Sequence, residues 1–233
     1  MNILAVGAHP DDLEFLCAGT LARYAAAGHR VFMAHLCSGN KGGREIDPAE
    51  LAAVRDREAT AAAAVIGAET LGPVAADLDL YPDRETRQAV VEIIRTAKPD
   101  LIFTHDPGDY MPDHVNTSRL VFDAAFTATL PLHRSGRPAH EAIVPIYYLD
   151  TMSGVGFAPE EYVDITGFFE TKKRMLLAHE SQYKWVQGHH LTDPLRLLEI
   201  TGRYRGLQCG VEYAEAFRAA RVWGRLRPER LLP

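Results

Sequence analysis

A mostly parallel α/β sheet with helices on both faces is predicted by three features of this 233-residue chain. Short, continuous apolar runs alternate with stretches of helical periodicity. Glycines close several of the helical stretches. Polar, ionisable residues stand directly after two of the apolar runs. A strand that is apolar on both faces belongs to a sheet covered on both sides, and a strand–helix–strand rhythm requires crossovers that make such a sheet parallel.

Taken in order, Ile3–Ala8 reads as a buried strand. Leu13, Leu16, Leu21 and Tyr24 then recur near helical spacing, and Gly28 is the stop. Arg30–Cys37 is a second strand, and Ser38–Asp47, with Gly39, Gly42 and Gly43, is a loop. Pro48–Ile66 is an Ala-rich helix closed by Gly67, and Thr70–Leu71 is a short strand. Asp83–Ala97 is helical through Val90, Ile93 and Ile94, and Leu101–His105 is a strand. After the turn residues Asp106-Pro107-Gly108-Asp109, a helix starts near Pro112, since proline is favoured at the first helical position, and runs to about Leu130. Pro131–Glu141 is an exposed loop, Ile143–Leu149 and Tyr162–Ile165 are strands, and Phe168–His179 is a helix. The remaining residues mix glycine, aromatic and charged side chains without clear periodicity. The expectation is one domain with a Rossmann-like core over about 1–150 and a small C-terminal extension over about 151–233.

Composition narrows the function classes. A net charge of -6 implies no basic face for nucleic acid. The cysteines are Cys17, Cys37 and Cys209; an odd number without a C-x-x-C speaks against a disulfide framework or a cysteine zinc knuckle. No apolar run approaches the roughly twenty residues of a membrane span. A cytoplasmic protein acting on a small molecule is expected. Gly7 is followed by Ala8, so the glycine fingerprint of a dinucleotide site is missing.

Two constellations carry chemistry. His9, Asp11 and Asp12 follow the first strand within four residues, and Pro10 stiffens the turn between them. Imidazole nitrogen and carboxylate oxygen bind zinc at about 2.0–2.2 Å. Two adjacent acids pointing different ways allow one to bind metal and the other to act on water. The competing reading is a helix start, with Asp11 and Glu14 forming a capping box. The second constellation, Asp113-His114, opens the helix after the strand ending at His105 and so stands on the same sheet edge as His9. His114 can complete a His–Asp–His set with one position left open, and Asp113 can cap its helix, orient a histidine or face the substrate.

The segment Ala8-His9-Pro10-Asp11-Asp12-Leu13-Glu14, paired with Pro112-Asp113-His114, resembles the PIG-L or LmbE-like deacetylases. The resemblance extends to Arg55 with Glu58 and to Val163-Asp164-Ile165-Thr166, Lys172 and His179-Glu180-Ser181-Gln182, and so covers about residues 1–185. It implies a zinc-dependent enzyme that removes the acetyl group from an N-acetylglucosamine-type amino sugar or conjugate. It implies His9, Asp12 and His114 as metal ligands, Asp11 as general base, and Arg55 and Asp113 at the substrate. Members are often homo-oligomers. A His–Asp–His site does not select zinc over iron or cobalt by affinity alone. For Arg55 an ion pair with Glu58 is the competing reading. Many members carry a histidine three positions before the last ligand, where it helps the oxyanion or the leaving amine; here that position is Met111. A thioether does neither, which leaves Tyr110, His189 and His190 as replacements and His179 as a packed core histidine. Two other readings stay open: a hydrolase of another N-acyl amide, differing in the loops Ser38–Asp47 and Pro131–Glu141, and a weakly active or non-catalytic sugar-binding protein.

Overall fold

The computed structural model describes residues 1–189 and 193–233. The elements are β1 (Asn2–Gly7), α1 (Asp12–Leu16), α2 (Ala18–Ala26), β2 (Arg30–His35), α3 (Pro48–Ala64), β3 (Glu69–Leu71), α4 (Arg84–Ala97), β4 (Leu101–Thr104), α5 (Pro112–Thr127), β5 (Ile146–Leu149), β6 (Glu161–Asp164), α6 (Phe169–Leu177), α7 (Glu180–His189), α8 (Pro194–Cys209) and β7 (Ala214–Ala219). One seven-stranded sheet has the order β3-β2-β1-β4-β5-β7-β6. Its first five strands are mutually parallel, and β7 runs antiparallel between β5 and β6.

The predicted mostly parallel sheet is therefore present. The apolar strand runs are there because both faces are covered. Ile3, Ala5, Val31, Met33, Leu101 and Phe103 enter one core with α1, α2 and α6. Leu4, Val6, Phe32, Ala34 and Ile102 enter the other, beneath α4 and α5. Helix starts follow local chemistry. Asp47 accepts from Ala49 N and Glu50 N ahead of Pro48, and Asp83 exchanges capping bonds with Thr86. Asp193 caps α8 through Leu195 N.

Strand order reverses at the centre. The chain leaves β1 toward β2 and β3, then crosses back to β4 and β5 on the other side. The loops after β1 and β4 consequently part at this switch, where parallel sheets bind ligands beyond their carboxyl ends. The C-terminal part is tied in by a buried pair, Lys172 Nζ–Glu215 Oε1 at 2.5 Å. Glu215 also accepts from Gly19 N and Thr20 N, so β7 caps the start of α2.

One expected loop lies elsewhere. Helix α5 begins at the carboxyl edge and descends, so Pro131–Glu141 emerges at the opposite end of the sheet. There Arg95 bonds His133 O, Ser135 Oγ and Arg137 O, and His140 Nε2 bonds Pro99 O just ahead of β4. That is the end of the sheet away from His9 and His114, whereas Ser38–Asp47 closes over Arg55.

Candidate active site and metal centre

The turn after β1 does not behave as a simple helix start. Asp11 is the N-cap of α1 but makes no side-chain cap bond, and its φ of 116° lies in the left-handed region. For a non-glycine residue that costs about 1–3 kcal/mol. Asp12 Oδ2 instead accepts from His9 N at 2.6 Å, closing the turn on itself. Glu14 does not complete a capping box; it is fully buried, with Oε1 3.4 Å from His179 Nε2. The two adjacent aspartates are thereby sent in different directions.

Asp12 turns toward α5. Its Oδ1 lies 3.3 Å from His114 Nε2 and its Oδ2 lies 3.6 Å from His9 Nδ1. Ligand atoms of His9, Asp12 and His114 all lie within 4.8 Å of one another. Each histidine is oriented by a further carboxylate. His9 Nε2 donates to Asp113 Oδ2 at 3.1 Å, and His114 Nδ1 donates to Asp109 Oδ2 at 3.0 Å. Leu78, whose φ is 63°, directs its N–H onto Asp113 Oδ2 at 2.8 Å. This is the carboxylate–histidine arrangement that fixes ring orientation at metal centres.

The residues fit a cation on two observations. His114 Nε2 is buried and faces Asp12, yet forms no hydrogen bond. The charges also call for a positive centre. Burial would lower both histidines, but Asp113 and Asp12 push His9 up to about 10, and Asp12 and Asp109 push His114 up to about 9. Burial would raise Asp12, but His114, His105 and His9 hold it well below the carboxylate range. Protons on the two imidazoles supply positive charge that a divalent ion would supply instead.

Asp11 turns the other way, toward α3. Burial pushes it up to about 6 against the pull of Arg55, with Asp12 adding to the rise. Arg55 is itself buried. Its Nη2 lies 3.3 Å from Asp11 Oδ1, and it also bonds Pro10 O and Gly39 O. Gly39 has a φ of 76°, and a Cβ there would stand 2.6 Å from Arg55 Cδ, so glycine lets the loop close over the guanidinium. Glu58 is bonded by Ser181 N and Oγ, and Gln182 donates to Gly42 O, so α7 holds α3 and the Ser38–Asp47 loop in place.

Four further residues complete the surroundings of the site, and the sequence assigned none of them its partner. Asp109 was visible only as a turn residue. His105 stacks on His114 at 3.8 Å, and burial together with His114 brings it down to about 4, so it packs as a neutral ring. Glu14 and His35 lie near His179; burial lowers His35 to about 4. Among the residues considered for the place of Met111, Tyr110 is exposed; His179, read as a core histidine, is buried against Glu14. His190 and the side chain of His189 lie outside the described residues.

A parallel sheet with a His–Asp–His cluster at its switch point, beside a carboxyl raised toward neutrality, suits a metal-dependent hydrolase. The family described as PIG-L, GlcNAc-PI de-N-acetylase, matches residues 4–125. A diacetylchitobiose deacetylase from Thermococcus kodakarensis is 30% identical over 231 residues, covering 93% of this chain and 82% of that protein. A 1D-myo-inositol 2-acetamido-2-deoxy-alpha-D-glucopyranoside deacetylase from Thermobispora bispora is 32% identical over 59% of this chain, and this chain spans about half of its length, 55%. The solved N,N'-diacetylchitobiose deacetylase from Pyrococcus horikoshii superposes with a TM-score of 0.81 at 26% identity, over 93% of this chain and 82% of that one. The chain belongs to the PIG-L family and is an enzyme of its deacetylase class. No helix among the described residues is long and apolar enough to cross a membrane.

Proposed function

We propose that this protein hydrolyses the N-acetyl amide of an N-acetylglucosamine-type amino sugar, or of a conjugate carrying one, releasing acetate and the free amine. Zinc is the proposed metal, held by His9, Asp12 and His114; iron and cobalt suit the same donors. When bound, such a cation acidifies water and polarises an amide carbonyl.

The observation that carries the reading is the divergence of Asp11 from Asp12 on one turn. Asp12, ringed by histidines, is a ligand. Asp11, raised to about 6, is a base able to take a proton near neutrality. It accepts the proton of the attacking water and returns it to the departing amine nitrogen. Arg55 and Asp113, expected at the substrate, act on it through Asp11 and His9. Asp109 keeps His114 Nε2 facing the centre. Met111 contributes no proton, so Asp11 serves both transfers.

The reading extends to the protein's setting. Free Cys17, Cys37 and Cys209 suit a reducing cytoplasm. Assembly into a homo-oligomer belongs to the same proposal. Zinc-loaded protein incubated with N-acetylglucosamine oligomers and glycosides, and with N-acyl amino acids, tests the substrate class by primary-amine release. Turnover of the sugars is expected; turnover of the amino-acid amides alone would replace the substrate.

A further inference from the structure

The far side of His9 holds a second set of donors. Beyond β2 the chain passes directly beside the catalytic turn, with Cys37 N donating to Ala8 O at 2.8 Å and Cys37 bridged to Ala75. That crossing brings in Asp77, two residues further on. Ligand atoms of His9, Cys37 and Asp77 lie within 4.8 Å of one another, and both newcomers are buried. Asp113, which receives His9 Nε2, also stands close to the Cys37 thiol and interacts with it electrostatically. Asp77 accepts Gly39 N and Lys41 N, one on each carboxylate oxygen, and keeps lone pairs on both.

We propose that His9, Cys37 and Asp77 form a second cation site, for a soft divalent ion, which competes with the catalytic centre for His9. The donor chemistry separates the two sites. The catalytic set offers nitrogen and carboxylate oxygen alone, whereas the second offers a thiolate, the ligand that selects soft cations. Binding releases the Cys37 thiol proton to solvent and shifts the His9 proton from Nε2 to Nδ1, the nitrogen that faces Asp12, so His9 leaves both Asp113 and the first set. Because His9 is common to both sets, filling the second disturbs the first. Soft cations therefore inhibit the enzyme.

The test uses zinc-loaded protein carrying Cys209→Ser, which removes the exposed thiol. Cadmium is titrated while the ultraviolet thiolate-to-metal charge-transfer band, bound metal per chain and amine release are followed. The expected result is a band that grows to one equivalent as activity is lost. Cys37→Ser should abolish the band and weaken inhibition about tenfold or more, measured relative to that variant's own activity in zinc alone. Asp77→Asn, which keeps the thiol, should weaken the same site if the serine variant folds poorly. A band that survives Cys37→Ser, or no band at all, would overturn the site. A full band without inhibition would overturn the competition. Only the inhibition arm rests on the deacetylase reading, whose own failure shows as no amine release before cadmium is added.

Discussion

The two flanks of the His9–Asp12 turn are built from similar residues and do opposite things. On the α5 side, Asp12, Asp109 and Asp113 meet His9 and His114, and the carboxylates hold the histidines charged. On the α3 side burial dominates at Asp11, which rises to about 6, and at His35, which falls to about 4, while Glu14 and His179 hold each other charged. One flank stabilises positive charge and suits a metal. The other destabilises ionisation at Asp11 itself and so suits proton transfer there. Carboxylate and imidazole chemistry alone does not distinguish them; hydrogen-bond partners and burial do.

The strongest way to break this contrast is on the metal flank. His114→Ala should lose zinc and with it activity by about 1,000-fold or more, read by metal analysis beside amine release. Full zinc occupancy in that variant would remove His114 from the ligand set. Asp109→Asn is the graded form. It leaves the ligands in place but loosens His114, so zinc affinity should fall about 10- to 100-fold, measured by chelator competition.

The α3 flank answers to pH. His35 binds a proton less readily when folded, near 4, than its ordinary value of 6.5. The unfolded chain therefore takes up more protons between those values. Stability is full above about 6.5 and is lost as pH falls toward 4, by on the order of 3 kcal/mol. In metal-free protein, His35→Gln should flatten the fall in urea midpoint across that window; an unchanged slope would assign the loss to other groups. The smallest effect is expected from Arg55→Gln. Arg55 pulls Asp11 down, so its removal should move the acid limb of turnover to higher pH by about one unit. In the parent protein that limb should lie at or below about 6, since a cation beside Asp12 also favours the Asp11 carboxylate. No movement would separate Arg55 from Asp11.

The same contrast explains what was legible in the sequence. β1, β2 and β4 announce themselves because both faces are buried, and His9, Asp12 and His114 follow from the residues placed after β1 and β4. The D-x-x-E at Asp11 and Glu14 looks like a local capping box, but the Glu14 partner is His179, far along the chain. Asp109 is found only when the loop folds to bring it to His114 Nδ1. β7 carries Glu215 in a buried register, where its partners are Lys172 and the start of α2. No periodicity within Ala214–Ala219 encodes those contacts, nor the insertion of β7 between β5 and β6. The expected Phe168–His179 helix instead ends at Leu177, and α7 restarts at Glu180. That break places Ser181 and Gln182 against α3 and the Ser38–Asp47 loop.

The central claim is the division of labour between two neighbouring aspartates, and one paired measurement tests it most directly: zinc content and amine release, measured side by side on Asp11→Asn and Asp12→Asn. Asp11→Asn should keep zinc at the parent level while turnover falls about 100- to 10,000-fold, and Asp12→Asn should lose the zinc itself. Equal zinc loss in both variants, or parent-level turnover in Asp11→Asn, would contradict it.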